Sequence, residues 1–180
     1  MRIPRRLSYM RRARAERIEA AERSRGSVHG ARWMEPADYH ITLRFVGDVG
    51  HDVALDIAEI LDEIRRPPVI VRFDGLSWFG GDKPRALVAR IRPDPELVEL
   101  QSEQERRMRR IGLPPETRKY TPHVTLARLR RVRTHAVADY LASRGALMVE
   151  GFTAERFVLY SSRESTGGGP YVVEAAYPLG

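Results

Sequence analysis

The sequence predicts an α+β fold of two pseudo-symmetric lobes, each a small antiparallel sheet with helices on its outer face, around a central cleft. Three observations lead there. The stretch Tyr39-His40-Ile41-Thr42-Leu43-Arg44-Phe45 is echoed by Pro122-His123-Val124-Thr125-Leu126-Ala127-Arg128, each copy reading His, β-branched apolar, Thr, Leu. The order motif strand, helix, strand, strand recurs after each copy, with a break near Pro93, which is the mark of an internal repeat. A chain of 180 residues with 42% hydrophobic content buries one substantial core, so a single domain over 1–180 is expected, with repeat halves of roughly 1–92 and 93–180.

In order along the chain, Leu7 to Ser24 carries a thin apolar stripe of Leu7, Met10, Ile18 and Ala21 among charges and reads as a helix. Gly26-Ser27-Val28-His29-Gly30 breaks it, and Ala31 to Met34 reads as a short strand before Glu35-Pro36. The first motif strand follows, ended by Gly47-Asp48 and Gly50. His51 to Arg66 is a helix, with Ile57, Ile60, Leu61 and Ile64 at helical spacing and Pro67-Pro68 stopping it. Val69 to Phe73 reads as a strand, and so does Arg85 to Arg92 after the turn-rich Gly80-Gly81-Asp82-Lys83-Pro84. A second long helix over 95–111 is opened by Asp94-Pro95 and closed by Gly112. The second motif strand covers Thr121 to Leu129, and a shorter helix runs from Thr134 to Ser143. Strands near Phe152–Ser161 and Tyr171–Tyr177 end the chain, joined by a hairpin turn at Gly167-Gly168-Gly169-Pro170.

The net charge of +7 is concentrated at one end: residues 1–25 hold nine arginines against three glutamates, and the rest of the chain is nearly balanced. A solvated, arginine-rich helix face explains this better than a nucleic-acid arm, although such a segment attracts phosphates non-specifically. With no cysteine, disulfides, thiolate nucleophiles and Cys-based zinc sites are excluded. No apolar run approaches the roughly 20 residues of a membrane span, and Met1-Arg2-Ile3-Pro4-Arg5-Arg6 lacks the apolar core of a secretory signal. A monomeric cytoplasmic protein with no membrane association is expected.

The chemistry lies in the repeated motif. On a strand, alternation places His40 and Thr42 on one face and Ile41, Leu43 and Phe45 on the other, and His123 and Thr125 repeat the pattern. Residues two apart on a strand are about 6.6 Å apart, twice a rise of about 3.3 Å. That span lets an imidazole and a hydroxyl approach two oxygens of one phosphate. A lone strand histidine is more often structural than catalytic; two in the same context point to function. Neither His-x-His nor His-Glu-x-x-His occurs, so no metal is expected, and Ser161 and Ser162 lack a nucleophile elbow. Acid–base chemistry on phosphate remains. One neutral imidazole takes a proton from water while a protonated one gives a proton to the leaving oxygen. The threonine hydroxyls meet the non-bridging oxygens as charge develops. His29, His51 and His135 have no comparable context and read as surface or capping residues.

The pair His40-Ile41-Thr42-Leu43 and His123-Val124-Thr125-Leu126 resembles the duplicated signature of the two-histidine phosphoesterases, and among them the bacterial and archaeal RNA 2′,3′-cyclic phosphodiesterases, also called 2′-5′ RNA ligases. Gly30-Ala31-Arg32-Trp33, Arg44-Phe45-Val46-Gly47-Asp48, Lys83-Pro84-Arg85-Ala86-Leu87 and Leu159-Tyr160-Ser161-Ser162 extend the resemblance from Gly30 to the C-terminus. It implies hydrolysis of a ribose 2′,3′-cyclic phosphate to a 2′-phosphomonoester, with His40 as proton donor to the 3′ oxygen and His123 as the base that activates water. Thr42 and Thr125 would hold the phosphate, no cofactor would be needed, and the partners would be RNA ends or small cyclic nucleotides. The 2′-5′ ligation is the same exchange with an RNA 5′-hydroxyl in place of water. A phosphodiesterase of small cyclic nucleotides or 2′-5′ oligonucleotides, and an RNA-binding module without turnover, are the competing readings.

Two arginines are further candidates for phosphate or RNA backbone. Arg44 is in phase with His40 and Thr42. Arg128 matches a basic position of the family but falls on the opposite face from His123 unless the strand bulges before it. Trp33, Trp78, Phe79 and Tyr120 are candidates for base stacking, although Trp78 reads as a core residue. The Gly167–Gly169 run is a flexible turn more readily than a phosphate cradle. Relatives open with a short apolar strand ending in Pro; only Arg2-Ile3-Pro4 stands in its place, so that strand is expected to be missing.

Overall fold

The computed structural model describes residues 3–9, 28–144, 150–162 and 171–180. Ten strands and three helices are seen among them, beginning with β1 (Ile3–Tyr9), β2 (Ala31–Trp33) and β3 (Ile41–Val49). Helix α1 (His51–Asp62), β4 (Val69–Val71), β5 (Phe73–Phe79) and β6 (Ala86–Ile91) come next. Helix α2 (Pro95–Arg110), β7 (His123–Leu129) and α3 (Thr134–Arg144) lead to β8 (Phe152–Ala154), β9 (Arg156–Ser162) and β10 (Tyr171–Pro178).

The start of the chain corrects the expectation of a missing strand. Ile3–Tyr9 is β1, antiparallel to β3 on one edge and to β9 on the other, so the helix does not begin at Leu7. Residues 10–24 of that expected helix, and the Gly167–Pro170 turn, lie outside the described residues. Pro4-Arg5-Arg6 gives no apolar alternation to read. Two neighbouring strands nevertheless supply backbone partners on both sides, and such tertiary context overrides weak strand propensity.

The large sheet runs β10-β9-β1-β3-β7-β6-β5, with β2 also pairing with β7. All of its pairings are antiparallel. At its middle β3 meets β7 through the pair Ile41↔Val124, which are the same residue of the two motif copies. A pseudo-twofold axis therefore passes through that pair. The remaining small sheet obeys it too: β4 pairs with β8, with Ile70 opposite Thr153 at its centre.

The lobes are not the halves of the sequence. β5 and β6 follow the first motif strand in the chain, yet they lie beside β7; β9 and β10 follow the second, yet they lie beside β1 and β3. Each repeat sends its hairpin across the axis. The strands expected over Val69–Phe73 and Phe152–Ser161 divide accordingly. Each leaves the small sheet after three residues, at Val71 and at Ala154, and enters the large one as β5 or β9.

The core lies between the sheet and the two longer helices. Helix α1 buries Ala54, Ile57, Ile60 and Leu61, and α2 buries Leu97, Leu100, Gln104 and Met108, the i, i+3, i+4 stripe of a helix on a core. Asp94 and Pro95 open α2 with a preset φ and no lost donor. Ion pairs tie α2 to the segment just after α1: Arg66 reaches Glu103 at 2.5 Å and Glu99 at 2.9 Å, and Arg107 reaches Glu63 at 2.7 Å. Between β9 and β10, Phe157 stacks on Tyr177 with ring centres 4.9 Å apart. Among the described residues, no helix is long and apolar enough to cross a membrane.

Candidate active site

Both motif histidines are half-buried and held in the same way. Nδ1 of His40 is 2.7 Å from the carbonyl oxygen of Asp38, and Nδ1 of His123 is 2.7 Å from that of Thr121. A carbonyl only accepts, so each Nδ1 carries the proton and donates. That directs each Nε2 away from the backbone as the working nitrogen. The intervening residues, Tyr39 and Pro122, are buried and anchor the approach to each strand. One step either side of the Ile41↔Val124 pair, the antiparallel register sets His40 alongside Thr125 and Thr42 alongside His123. All four sequence candidates thus gather at the junction of the lobes.

The two arginines trade places relative to strict alternation, for one shared reason. On β3, Arg44 pairs with Leu7 and Thr42 with Ser8, so Leu43 has no opposite number. On β7, Ala127 pairs with Leu87 and Thr125 with Val88, so Leu126 has none. Both motif copies therefore bulge at their leucine, and an extra residue reverses the facing of everything beyond it. Arg44 is turned inward and is only 6% exposed, while Phe45, expected on the face of Ile41 and Leu43, emerges at 41%. In the second copy, Ala127 is buried and Arg128 returns to the face of His123 and Thr125.

The destinations of the two side chains differ. The Arg44 guanidinium is held by Glu105, Nε to Oε2 at 2.7 Å, by Glu116 at 3.7 Å, and by the carbonyl oxygens of Pro114 and Phe45. It ties the motif strand to α2 and to the segment that leads into β7. Arg128 is exposed. Burial lowers the pKa of His123, and the Arg128 charge lowers it further against the opposing effect of the Thr121 hydrogen bond. Both influences favour a neutral imidazole at His123.

Aromatic rings brace each imidazole. Phe79 meets His123 edge-on, centroids 4.7 Å apart, and Tyr171 meets His40 edge-on at 4.9 Å, with Tyr160 at 6.4 Å. Burial pushes the Tyr160 phenol up to about 12, so it stays protonated. Phe79 owes its place to the turn that follows. Gly80 has φ +110°, and a Cβ there would stand 2.3 Å from the Lys83 carbonyl oxygen, so only glycine fits. The Arg85 amide closes the turn by donating to the Phe79 carbonyl at 2.7 Å.

Of the other stacking candidates, Trp33 packs on Tyr140 at 5.9 Å, and Trp78 donates its indole N–H to Gly81 at 3.0 Å. Tyr120 borders the site, but its hydroxyl is buried and has no hydrogen-bond partner among the described residues. A cavity of about 550 Å³ opens beside His123, lined by Thr42, Phe45, Phe79, Glu116, Lys119 and Tyr120, among others. Arg118 holds the Glu116 carboxyl down at about 2 through a hydrogen bond of 2.7 Å, which keeps this wall charged. Phe45, Lys119, Tyr160 and Tyr171 were not singled out as site residues from sequence. The sequence carried no signal for them: Phe45 faces the site only because of the bulge at Leu43. Among the described residues, no three His, Asp or Glu side chains group as a metal site.

A family model described as LigT-like phosphoesterase matches residues 11–88 and 91–171. The RNA 2′,3′-cyclic phosphodiesterase of Aeropyrum pernix is 37% identical over 102 residues, a match spanning 56% of this chain and 58% of that protein. The RNA 2′,3′-cyclic phosphodiesterase of Aquifex aeolicus is 28% identical over 170 residues, 90% of each. Among solved structures, a Thermus thermophilus protein superposes with a TM-score of 0.80 at 20% identity, covering 99% of this chain and 98% of that one. E. coli LigT in complex with 3′-AMP gives 0.75 at 18% identity, covering 99% of both. At these identities the structures speak for the fold.

Proposed function

The chain belongs to the LigT-like phosphoesterase family, and from that premise we propose that it hydrolyses 2′,3′-cyclic phosphate ends of RNA to 2′-phosphomonoesters. The observation that carries the reading is the equivalence of His40 and His123 about the pseudo-twofold axis, each with Nδ1 spent on the carbonyl two residues back. Two relatives whose names state this activity support it. His123 acts as base: its neutral Nε2 takes a proton from water as the oxygen attacks phosphorus. His40, protonated, donates from Nε2 to the departing 3′ oxygen. Thr42, Thr125 and Arg128 hold the non-bridging oxygens, where charge-assisted contacts are strongest. Arg44, engaged with Glu105, positions the strand and is not assigned to the phosphate.

The test is incubation with 2′,3′-cyclic AMP in excess chelator. Full activity and a 2′-phosphate product are expected. A 3′-phosphate product, or activity abolished by chelator, would overturn the assigned mechanism.

The pH dependence adds a second check. The base must be neutral, and the His123 pKa lies below the ordinary 6.5. The acid limb of kcat/KM therefore falls below pH 6.5, and activity is lost as pH drops through the lowered value. Arg128→Ala removes a repelling charge, so the limb is expected to move to higher pH while KM rises. An unmoved limb would separate Arg128 from the base.

A further inference from the structure

We infer that Asp38 is the positioning residue that makes His40, and not His123, the acid of the pair, its carboxylate holding the charge of the His40 imidazolium. This rests on the cyclic phosphodiesterase reading, with His40 as acid and His123 as base, and deepens it. A pseudo-twofold axis relates the two histidines, and each spends Nδ1 on the carbonyl oxygen two residues back. That backbone arrangement does not say which ring is charged. Two imidazoles in identical surroundings would leave at most about a quarter of the molecules with the named ring charged and the other neutral, and as many in the reverse state. The difference has to come from neighbours that do not repeat.

The two motif copies differ at three such positions. Two residues before the histidine stands Asp38 in the first copy and Thr121 in the second. Their backbone carbonyls play the same part, but one side chain is a carboxylate and the other a hydroxyl. The edge-on ring is Tyr171 at His40 and Phe79 at His123, and Phe79 brings no polar atom. Three residues past the threonine, Phe45 in the first copy answers to Arg128 in the second. Burial and the Arg128 charge both disfavour the charged form of His123. At His40 the carboxylate of Asp38 supplies the opposite bias.

Asp38 is placed to do so. Tyr39 lies between the two residues in extended backbone, with φ −67° and ψ 124°, and its side chain is buried. Residues two apart in extended backbone face the same side, about 6.6 Å apart. Asp38 and His40 are both half-buried. The Asp38 charge also acts on Tyr160, where it opposes ionisation of the phenol, and the Tyr160 ring lies 6.4 Å from that of His40. Carboxylate, phenol and imidazole thus form one cluster at this end of the cleft. The charged residues on the elements around it are Arg156 of β9, whose charge favours ionisation of Tyr160, Arg6 of β1, opposite Tyr160 in the register, and Arg128 of β7. Glu174 of β10 is engaged elsewhere, accepting a hydrogen bond from Ser161 at 2.5 Å.

The experiment is the pH profile of kcat/KM on 2′,3′-cyclic AMP over about pH 5 to 10, the range in which imidazoles titrate. The alkaline limb reports loss of the His40 proton. Asp38→Asn removes the charge and keeps the shape. It is expected to move that limb down by about one pH unit, the effect of one charge at about 7 Å in a partly solvated site. The acid limb of His123 and the melting temperature should stay in place. Asp38→Glu keeps the charge and should keep the alkaline limb. Thr121→Asp gives His123 the carboxylate that His40 has, and should move the acid limb up by a similar amount. An unmoved alkaline limb in folded Asp38→Asn protein would overturn the assignment, with the hydrolytic reading still standing. So would a fall in kcat/KM by the same factor at every pH, the mark of a purely structural residue. If Asp38→Asn fails to fold, Thr121→Asp decides, and an unmoved acid limb there overturns the assignment. Wild-type protein inert on the cyclic nucleotide would overturn it together with the reading it rests on.

Discussion

His40→Ala and His123→Ala are each expected to reduce kcat/KM on a 2′,3′-cyclic nucleotide by about 10²–10⁴, the usual worth of a positioned acid or base. The double variant should fall little further, because two groups that act in one proton relay fail as a unit. Both rings are half-buried and lie at strand ends, so melting temperatures should stay close to wild type. The two variants should differ in their pH profiles: His123→Ala removes the acid limb and His40→Ala the alkaline limb. Steady-state kinetics across the pH range, with a melting curve on each variant, make the comparison. If either variant retained more than a tenth of the activity, its histidine would not be the assigned acid or base.

Arg44→Met is expected to have the largest effect on stability, about 3 kcal/mol, because it leaves the Glu105 carboxylate buried without its partner. Arg44 and Glu105 are 6% and 18% exposed, with Nε and Oε2 2.7 Å apart. These two atoms are not aligned as a hydrogen bond, so the contact is chiefly ionic. Adding Glu105→Leu removes the stranded charge, and the double variant should recover much of the loss, an interaction measurable as non-additivity in denaturant midpoints. Additive losses would mean that the pair is not coupled. Cyclic phosphodiesterase activity should fall less than stability does, since Arg44 acts through the segment from Pro114 to Thr121 and not on the substrate.

The placement of the motif residues was legible because it depends on alternation over two positions. His40, Thr42, His123 and Thr125 are close enough together on their strands for the pattern to hold. Arg44 and Arg128 lie beyond Leu43 and Leu126, where each strand gains a residue, and parity counted across a bulge gives the opposite answer. The bulges leave no mark on the residues themselves: Thr-Leu-Arg and Thr-Leu-Ala alternate as well as any strand. β1 was missed for a different reason, since a strand paired along both edges needs little propensity of its own. The exchange of hairpins between lobes was invisible too. Composition and periodicity report local structure, whereas β6 pairing with β7 in preference to β3 is decided by packing far along the chain.

That exchange has a consequence for the order in which the molecule is made. The first motif strand is synthesised early, yet two strands of its own lobe, β9 and β10, are the last to be made, and Tyr171 of β10 braces His40. Such pairings close long loops and form slowly. A chain emerging from the ribosome can build the His123 lobe from β5, β6 and β7 while β1 still exposes the edge that β9 will cover. The His40 half of the cleft is therefore finished only with the final strand, and a chain terminated before residue 171 would carry both histidines but lack the strand that braces one of them.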